Sequence, residues 1–146
     1  MRKSLMTEPC PVGRSVDILG DKWTLLIVRD AFDGMRRFGD FQRSLGVARN
    51  ILADRLGRLV EAGIFEMQPA SDGTSYREYV LTAAGEALFP VVVALRQWAE
   101  ARLFQKGEPR SQLVISATGK PVPQMALMTP DGRRIEPADT VVRKVG

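Results

Sequence analysis

Residues 38–81, FGDFQRSLGVARNILADRLGRLVEAGIFEMQPASDGTSYREYVL, decide how this chain folds. Phe38, Phe41 and Leu45 recur at spacings of three and four, which predicts a short helix over about 38–45. Gly46-Val47 is a tight turn. ARNILADRLGRLVEAG (48–63) then reads as an amphipathic helix. Leu52, Leu56, Leu59 and Val60 share one face, and Gly63 is the stop. The period next changes from helical to alternating. Ile64–Gln68 and Tyr76–Leu81 both alternate, with turn residues at Ser71–Thr74 between them, so a β-hairpin is expected. A short helix, a Gly-containing turn and a longer helix make a helix-turn-helix. With a hairpin directly behind it, the unit becomes a winged helix. The recognition helix is then about 48–62 and the wing about 65–81.

Upstream, Cys10-Pro11 opens a helix carrying Val12, Val16 and Leu19, which ends at Gly20. Asp21 suits the N-cap of a second helix, with Trp23, Leu26, Ile27 and Ala31 on its apolar face and Gly34 as its close. Downstream, Thr82 suits a further N-cap, with Glu86 near the first turn. The apolar residues from Leu88 to Leu103 cover more than one stripe, and Pro90 is expected to kink or restart the helix. Gln105–Gln112 reads as a linker. In the tail, Leu113–Ser116, Met125–Met128 and Thr140–Val145 are β-prone, with turn chemistry at Gly119 and Thr129–Gly132. The expected architecture is mainly α with a small β-hairpin wing: a winged helix-turn-helix with a short β-rich C-terminal extension. Residues 1–104 are read as the DNA-binding and dimerisation domain. Residues 105–146 are read as linker and extension.

Composition narrows the function. The chain has 146 residues, one Cys and no His, with 21 Lys+Arg against 17 Asp+Glu. Without His there is no Ser-His-Asp or Cys-His catalytic pair and no His metal site. No Gly-rich phosphate loop or paired carboxylates replace them, so no catalytic residues, cofactor or metal are expected. A single Cys forms no internal disulfide, which fits a reducing compartment. No apolar run reaches the roughly eighteen residues of a membrane span. The N-terminus lacks the apolar stretch of a signal peptide, so a cytoplasmic protein is the expectation.

The charge is uneven. Between Arg36 and Arg58 there are six arginines, no lysine and two aspartates. Arginine makes planar, forked contacts to phosphate and to guanine edges, although a solvated helical surface would read the same way. On the face of the recognition helix opposite the leucines fall Asn50, Asp54, Gly57, Arg58 and Glu61. Arg49 and Ala53 join them near its N-terminus. Asn50 suits adenine, and Arg49 and Arg58 suit guanine or phosphate. Asp54 either accepts from cytosine or holds Arg58 through an i,i+4 pair, the second being the expectation. Gly57 either admits a close approach or simply weakens the helix. The wing tip, Ser71–Ser75, is small and polar, with Arg77 just behind it. The candidate DNA contacts are therefore Arg36, Arg37, Arg49, Asn50, Ala53, Arg58, Thr74 and Arg77.

Three stretches together closely resemble the HxlR family of bacterial transcriptional regulators. They are CPVGRSVDILGDKWTLLIVRDAFDGMRRFGDFQRSLG (10–46), ILADRLGRLVEAGI (51–64) and YREYVLTAAGEALFPVVVALRQWAE (76–100). The resemblance covers about residues 10–100. It implies a homodimeric winged helix that binds double-stranded DNA and represses or activates nearby genes. It also implies that the first helix and the last long helix build the dimer, which assigns Val12, Val16, Leu95, Trp98 and Leu103 as interface candidates. The all-round apolar character of the last helix agrees. In several relatives a Cys at the position of Cys10 senses electrophiles or oxidants. A helix N-terminus there would favour thiolate, whereas a buried Cys10 would be inert. Trp23 and Phe89 read either as lining an effector pocket or as plain core.

The chain departs from the family in two places. Many relatives cap the recognition helix with Ser or Thr, where this chain has Gly46-Val47-Ala48-Arg49. Some carry a Cys-rich tail, where this tail has no Cys. The competing function class is a winged helix used for protein contact, without specific DNA binding.

Overall fold

The computed structural model describes residues 4–146. It divides into two compact units, one running to Val92 and the other from Val93 to Gly146. The first contains α1 (Pro11–Leu19), α2 (Lys22–Phe32), α3 (Phe38–Leu45), α4 (Arg49–Glu61), β1 (Phe65–Pro69), β2 (Arg77–Leu81) and α5 (Ala83–Glu86). A sixth helix, α6 (Phe89–Arg102), begins in the first unit and continues into the second. This is a mainly α fold with one antiparallel hairpin, a winged helix-turn-helix.

Each element of the first unit has a local cause. Pro11 occupies the first turn of α1, where its missing N–H costs nothing. The Asp21 carboxylate caps α2 by accepting from the Thr24 amide (3.0 Å) and the Thr24 hydroxyl (2.8 Å). Gly46 adopts φ 62°, the left-handed conformation that ends α3 and turns the chain into α4. The hairpin pairs Phe65 with Leu81 and Pro69 with Arg77. The Tyr79 amide also donates to the Arg36 carbonyl (2.7 Å), which ties the segment before α3 to the outer side of β2. The Thr82 hydroxyl accepts from the Gly85 amide (3.1 Å) and so caps α5. Gly85 allows close approach there, since a Cβ would lie 2.3 Å from the Ile64 carbonyl oxygen.

The core joins α2, α3, α4 and β1. Ile27, Val28, Phe41, Leu52, Leu56, Leu59 and Phe65 are essentially inaccessible. The expected leucine face of α4 is therefore the buried one, with Val60 at its edge. The buried face of α2 is rotated from expectation. It is built from Thr24, Ile27, Val28 and Asp30, while Trp23 and Ala31 are half-buried at its margin. Asp30 is the unexpected member. Its Oδ1 accepts from Arg29 (3.0 Å), and its Oδ2 is buried without a hydrogen-bond partner among the described residues. Pro90 restarts the helix rather than kinking it: α5 ends at Glu86, and Pro90 is the second residue of α6.

The second unit differs from expectation in detail. Its β character consists of two isolated bridges, Val114 with Pro121 and Met128 with Arg134, plus a 3-10 turn at Pro137–Asp139. Thr140–Val145 forms no strand. Apolar residues there have no partner row to pair with, so propensity alone does not build a ladder. The unit begins at Val93, inside α6, whereas the sequence suggested a division after residue 104. The physical reason is side-chain bonding from the helix into the tail. Buried Gln97 donates to the Pro123 carbonyl (3.0 Å) and accepts from the Met125 amide (2.7 Å). Arg96 donates to the Ser111 carbonyl and hydroxyl.

Candidate nucleic-acid interface

The helix-turn-helix and the hairpin enclose a basic cleft of about 800 Å³. Four arginines line it from four stretches of chain: Arg37 before α3, Arg43 on α3, Arg49 opening α4 and Arg77 opening β2. Phe38, Tyr76 and Tyr79 supply its aromatic surface. The arginines are placed by different devices. The Arg49 guanidinium lies 4.8 Å from the Phe38 ring centroid, and Arg37 lies 5.1 Å from that of Tyr76, both cation–π distances. Arg43 pairs with Asp40 one turn back on α3. Arg77 is exposed and has no carboxylate partner among the described residues.

The outward face of α4 begins at the cleft, which Arg49 lines. Arg49, Asn50, Ala53, Asp54, Gly57 and Arg58 are all exposed, as the helical wheel predicts. The expected Asp54–Arg58 pair forms at 3.1 Å. Asp54 also holds Arg55 (2.6 Å), whose Nε reaches back 3.0 Å to Asp21. The middle of α4 is tied in this way to the cap of α2. Burial pushes the Asp21 carboxyl up, but hydrogen bonds from Thr24 and the Arg55 charge outweigh it and hold the group below its ordinary value. Ala48 occupies the N-cap of α4 and makes no side-chain hydrogen bond, so the first amides of that helix are uncapped.

The wing tip is locally folded. Asp72 accepts from the Thr74 amide (3.0 Å), and buried Glu78 accepts from the Ser71 amide (2.8 Å). Arg36 faces Glu78 at 3.8 Å, and Arg37 pairs with Asp72. These two expected DNA contacts are thus engaged by the wing itself. The Thr74 amide and hydroxyl, then Arg37, hold the Asp72 carboxyl down to about 2. The candidate residues divide accordingly. Arg37, Arg49 and Arg77 meet in the cleft, Asn50, Ala53 and Arg58 lie on the helix face, and Thr74 sits at the wing tip. Arg36 instead lines a separate cavity of about 410 Å³ with Phe32, Met35, Tyr79, Leu81 and Phe89. Arg43 and Tyr76 were not among the residues the sequence singled out. Arg43 lies within the arginine-rich window, and Tyr76 sits next to Arg77, so charge density marked their neighbourhood without choosing them.

The remaining expected site residues lie elsewhere. Cys10 is exposed at the N-cap of α1, and Arg14 donates to the Glu8 carbonyl (2.7 Å). Val12 and Val16 on α1, and Leu95 and Trp98 on α6, are exposed. Leu103 follows the last residue of α6 and is exposed as well. The two expected pocket residues have different described neighbours. Phe89 lines the 410 Å³ cavity and meets Phe32 edge-on at 5.2 Å, whereas Trp23 packs at the core margin with Lys22 over its ring.

A hairpin wing behind a helix-turn-helix with an arginine-lined cleft defines a winged helix of the transcription-regulator class. Comparison with known proteins is more specific: residues 18–107 match the HxlR-like helix-turn-helix family, and the chain belongs to that family. It is 40% identical over 124 residues to an uncharacterised HTH-type transcriptional regulator of Mycobacterium tuberculosis, covering 85% of this chain and 78% of that protein. Among solved structures it is similar to PA1607, provisionally assigned as a transcription factor. That match has 47% identity and a TM-score of 0.92, over 98% of this chain and 100% of the other. It also resembles the redox regulator HypR in its reduced form, with 28% identity and a TM-score of 0.59. That likeness covers 64% of this chain and 94% of HypR. The chain is thus a transcriptional regulator by family, not an enzyme. No helix among its described residues is long and apolar enough to cross a membrane.

Proposed function

We propose that this chain is a sequence-specific, double-stranded-DNA-binding regulator that acts as a cytoplasmic homodimer. The observation that carries this reading is the convergence of Arg37, Arg43, Arg49 and Arg77 on one cleft between the recognition helix and the wing. In this reading α4 enters the major groove, with Asn50 and Arg58 at base edges and Ala53 and Gly57 allowing close approach. The wing lies on the backbone or minor groove with Thr74 and Arg77. Arg49 groups with Arg43 and Arg77, which assigns it to phosphate. The uncapped amides of α4 favour a phosphate at the same place.

The experiment is selection of bound duplexes from a random pool, followed by salt titration. A two-fold symmetric enriched site and an affinity that falls steeply with salt are expected. Asn50→Ala then weakens the selected duplex by about 1–3 kcal/mol more than a random one. Arg49→Ala and Arg77→Ala weaken both alike. A flat salt dependence would instead favour the competing reading, a winged helix that contacts protein.

The homodimer reading rests on apolar exposure. Val12 and Trp98 are 68% and 54% exposed, too much for helices that fold against one chain alone. Val16, Leu95 and Leu103 complete the set. Leu103→Lys is expected to give folded monomers with poor duplex affinity in sedimentation and binding measurements. A dimer that persists would place Leu103 outside the interface.

Cys10 is assigned an electrophile- or oxidant-responsive role, supported by its exposure at a helix N-terminus. Cys10→Ser should bind DNA normally and ignore a thiol-alkylating probe. Full affinity of the wild type after complete alkylation would make the residue structural.

A further inference from the structure

The two arginines on the wing side of the basic cleft are in different states. Arg77 has no carboxylate partner among the described residues. Arg37 is occupied: its guanidinium pairs with Asp72 at the wing tip and lies over the Tyr76 ring. Asp72 is itself fixed, because its other oxygen accepts from the Thr74 amide in a tight Asx turn. The carboxylate therefore stands at the tip of the wing, paired with an arginine that lines the cleft. The pair is open to solvent, with Arg37 32% and Asp72 50% exposed, so it adds little to folding stability. Exchanging Asp72 for a phosphate oxygen costs the fold correspondingly little.

We infer that Asp72 restrains the backbone affinity of the wing by occupying Arg37, which a seated duplex must draw away from it. This rests on the reading of the cleft as a duplex-binding site. It goes further by naming a residue whose function is to weaken that site. The physical reason lies in the sequence-independent part of duplex binding, which scales with the number of phosphates neutralised. An arginine already neutralised by a carboxylate contributes less than a free one. A carboxylate left beside the phosphates also repels them. The wing then holds any duplex less tightly than its arginine content suggests, leaving a larger share of the affinity to the base-reading face of α4.

The test uses the full-length protein and a short duplex of unrelated sequence, titrated with salt. Asp72→Asn removes the charge and keeps the turn, because the Asn side-chain oxygen also accepts from the Thr74 amide. Expected is several-fold tighter binding and a log–log salt slope steeper by up to about 0.9, the contribution of one further neutralised phosphate. In the wild type, Arg37→Ala should cost less affinity than Arg77→Ala; in the Asp72→Asn background the two losses should become similar. The Arg37→Ala/Asp72→Asn double variant should lose the gain. Unchanged affinity in Asp72→Asn overturns the inference, as does a gain that survives removal of Arg37. If the wild type itself shows no salt-dependent duplex binding, the reading of the cleft fails and this inference falls with it, an outcome distinct from the other two. A thermal midpoint for Asp72→Asn equal to that of the wild type verifies that the fold is intact.

Discussion

Up to Val92 the chain organises itself around a core in which Ile27, Val28, Phe41, Leu52, Leu56, Leu59 and Phe65 lose nearly all solvent contact. From Val93 onward the only buried apolar residue is Val93 itself, while Leu127, Val141 and Val142 are at least 74% exposed. The second unit is held differently, by polar side chains of α6 that bond to backbone groups of the tail. Gln97 satisfies both Pro123 and Met125, Arg96 satisfies Ser111, and Glu100 lies 3.5 Å from Arg110. Apolar burial is non-directional and tolerates many sequences, whereas a hydrogen-bond clamp depends on one side chain at one place. The same chain thus combines a part built on apolar burial, which presents the arginines, with a tail tied to α6 by a few named side-chain bonds.

The contrast breaks most visibly in the core. Leu56→Ala is expected to lower unfolding stability by about 2–5 kcal/mol, read by denaturant titration, through lost burial and the cavity left behind. Leu127→Ala should stay within about 0.5 kcal/mol. Equal effects would show that Leu127 is covered in solution. A smaller effect is expected at Gln97. Gln97→Ala leaves the Met125 amide and Pro123 carbonyl unpaired, at about 1–3 kcal/mol. Hydrogen exchange should show lost protection at Met125 with no change at Leu52 or Leu56. Loss of protection in both places would mean the two units unfold together.

Gly57 sharpens the comparison with the opposite sign. Its absent Cβ would meet nothing within 4 Å, so no packing among the described residues calls for glycine there. Gly57→Ala should stabilise α4 by about 1 kcal/mol. If the outward face is approached closely by a duplex, the same variant should bind the selected site more weakly. Raised stability with undiminished binding would assign the glycine to chance. The smallest effect is in the wing. Because the folded Asp72 carboxyl is depressed to about 2, its stabilising contribution is fully present above the ordinary carboxylate range and is lost as pH falls through about 2. A carbon-detected titration of Asp72 should show that midpoint, and a midpoint near 4 would mean the Thr74 and Arg37 contacts are absent in solution.

Local rules made the helix-turn-helix and wing legible. Leucines at Leu52, Leu56 and Leu59 on one helical face, Gly46 in a left-handed turn, Asp21 and Thr82 as caps, and the shift to alternation after Gly63 each act over a few residues. The Asp54–Arg58 pair and the uncapped Ala48 were readable for the same reason. The tail was less legible. Its β-prone residues suggested strands, but a strand exists only with a partner, and the clamp from Gln97 spans 28 residues to Met125.

By itself, then, the sequence determined which segments are helical, which face of α4 is buried, and that arginine crowds the region from 36 to 58. Periodicity and capping are local, so they survive without knowledge of the fold. Only the tertiary structure decided which arginines meet. Arg37, Arg43 and Arg49 belong to two helices and the turn before them, Arg77 opens β2, and the four meet because α3, α4 and the hairpin pack on one core. It also decided that Arg36 and Arg37 are engaged by Glu78 and Asp72, and that Asp30 is buried. Those outcomes depend on which side chains are brought within a few ångströms across the fold, and both charge pairing and desolvation act at that range.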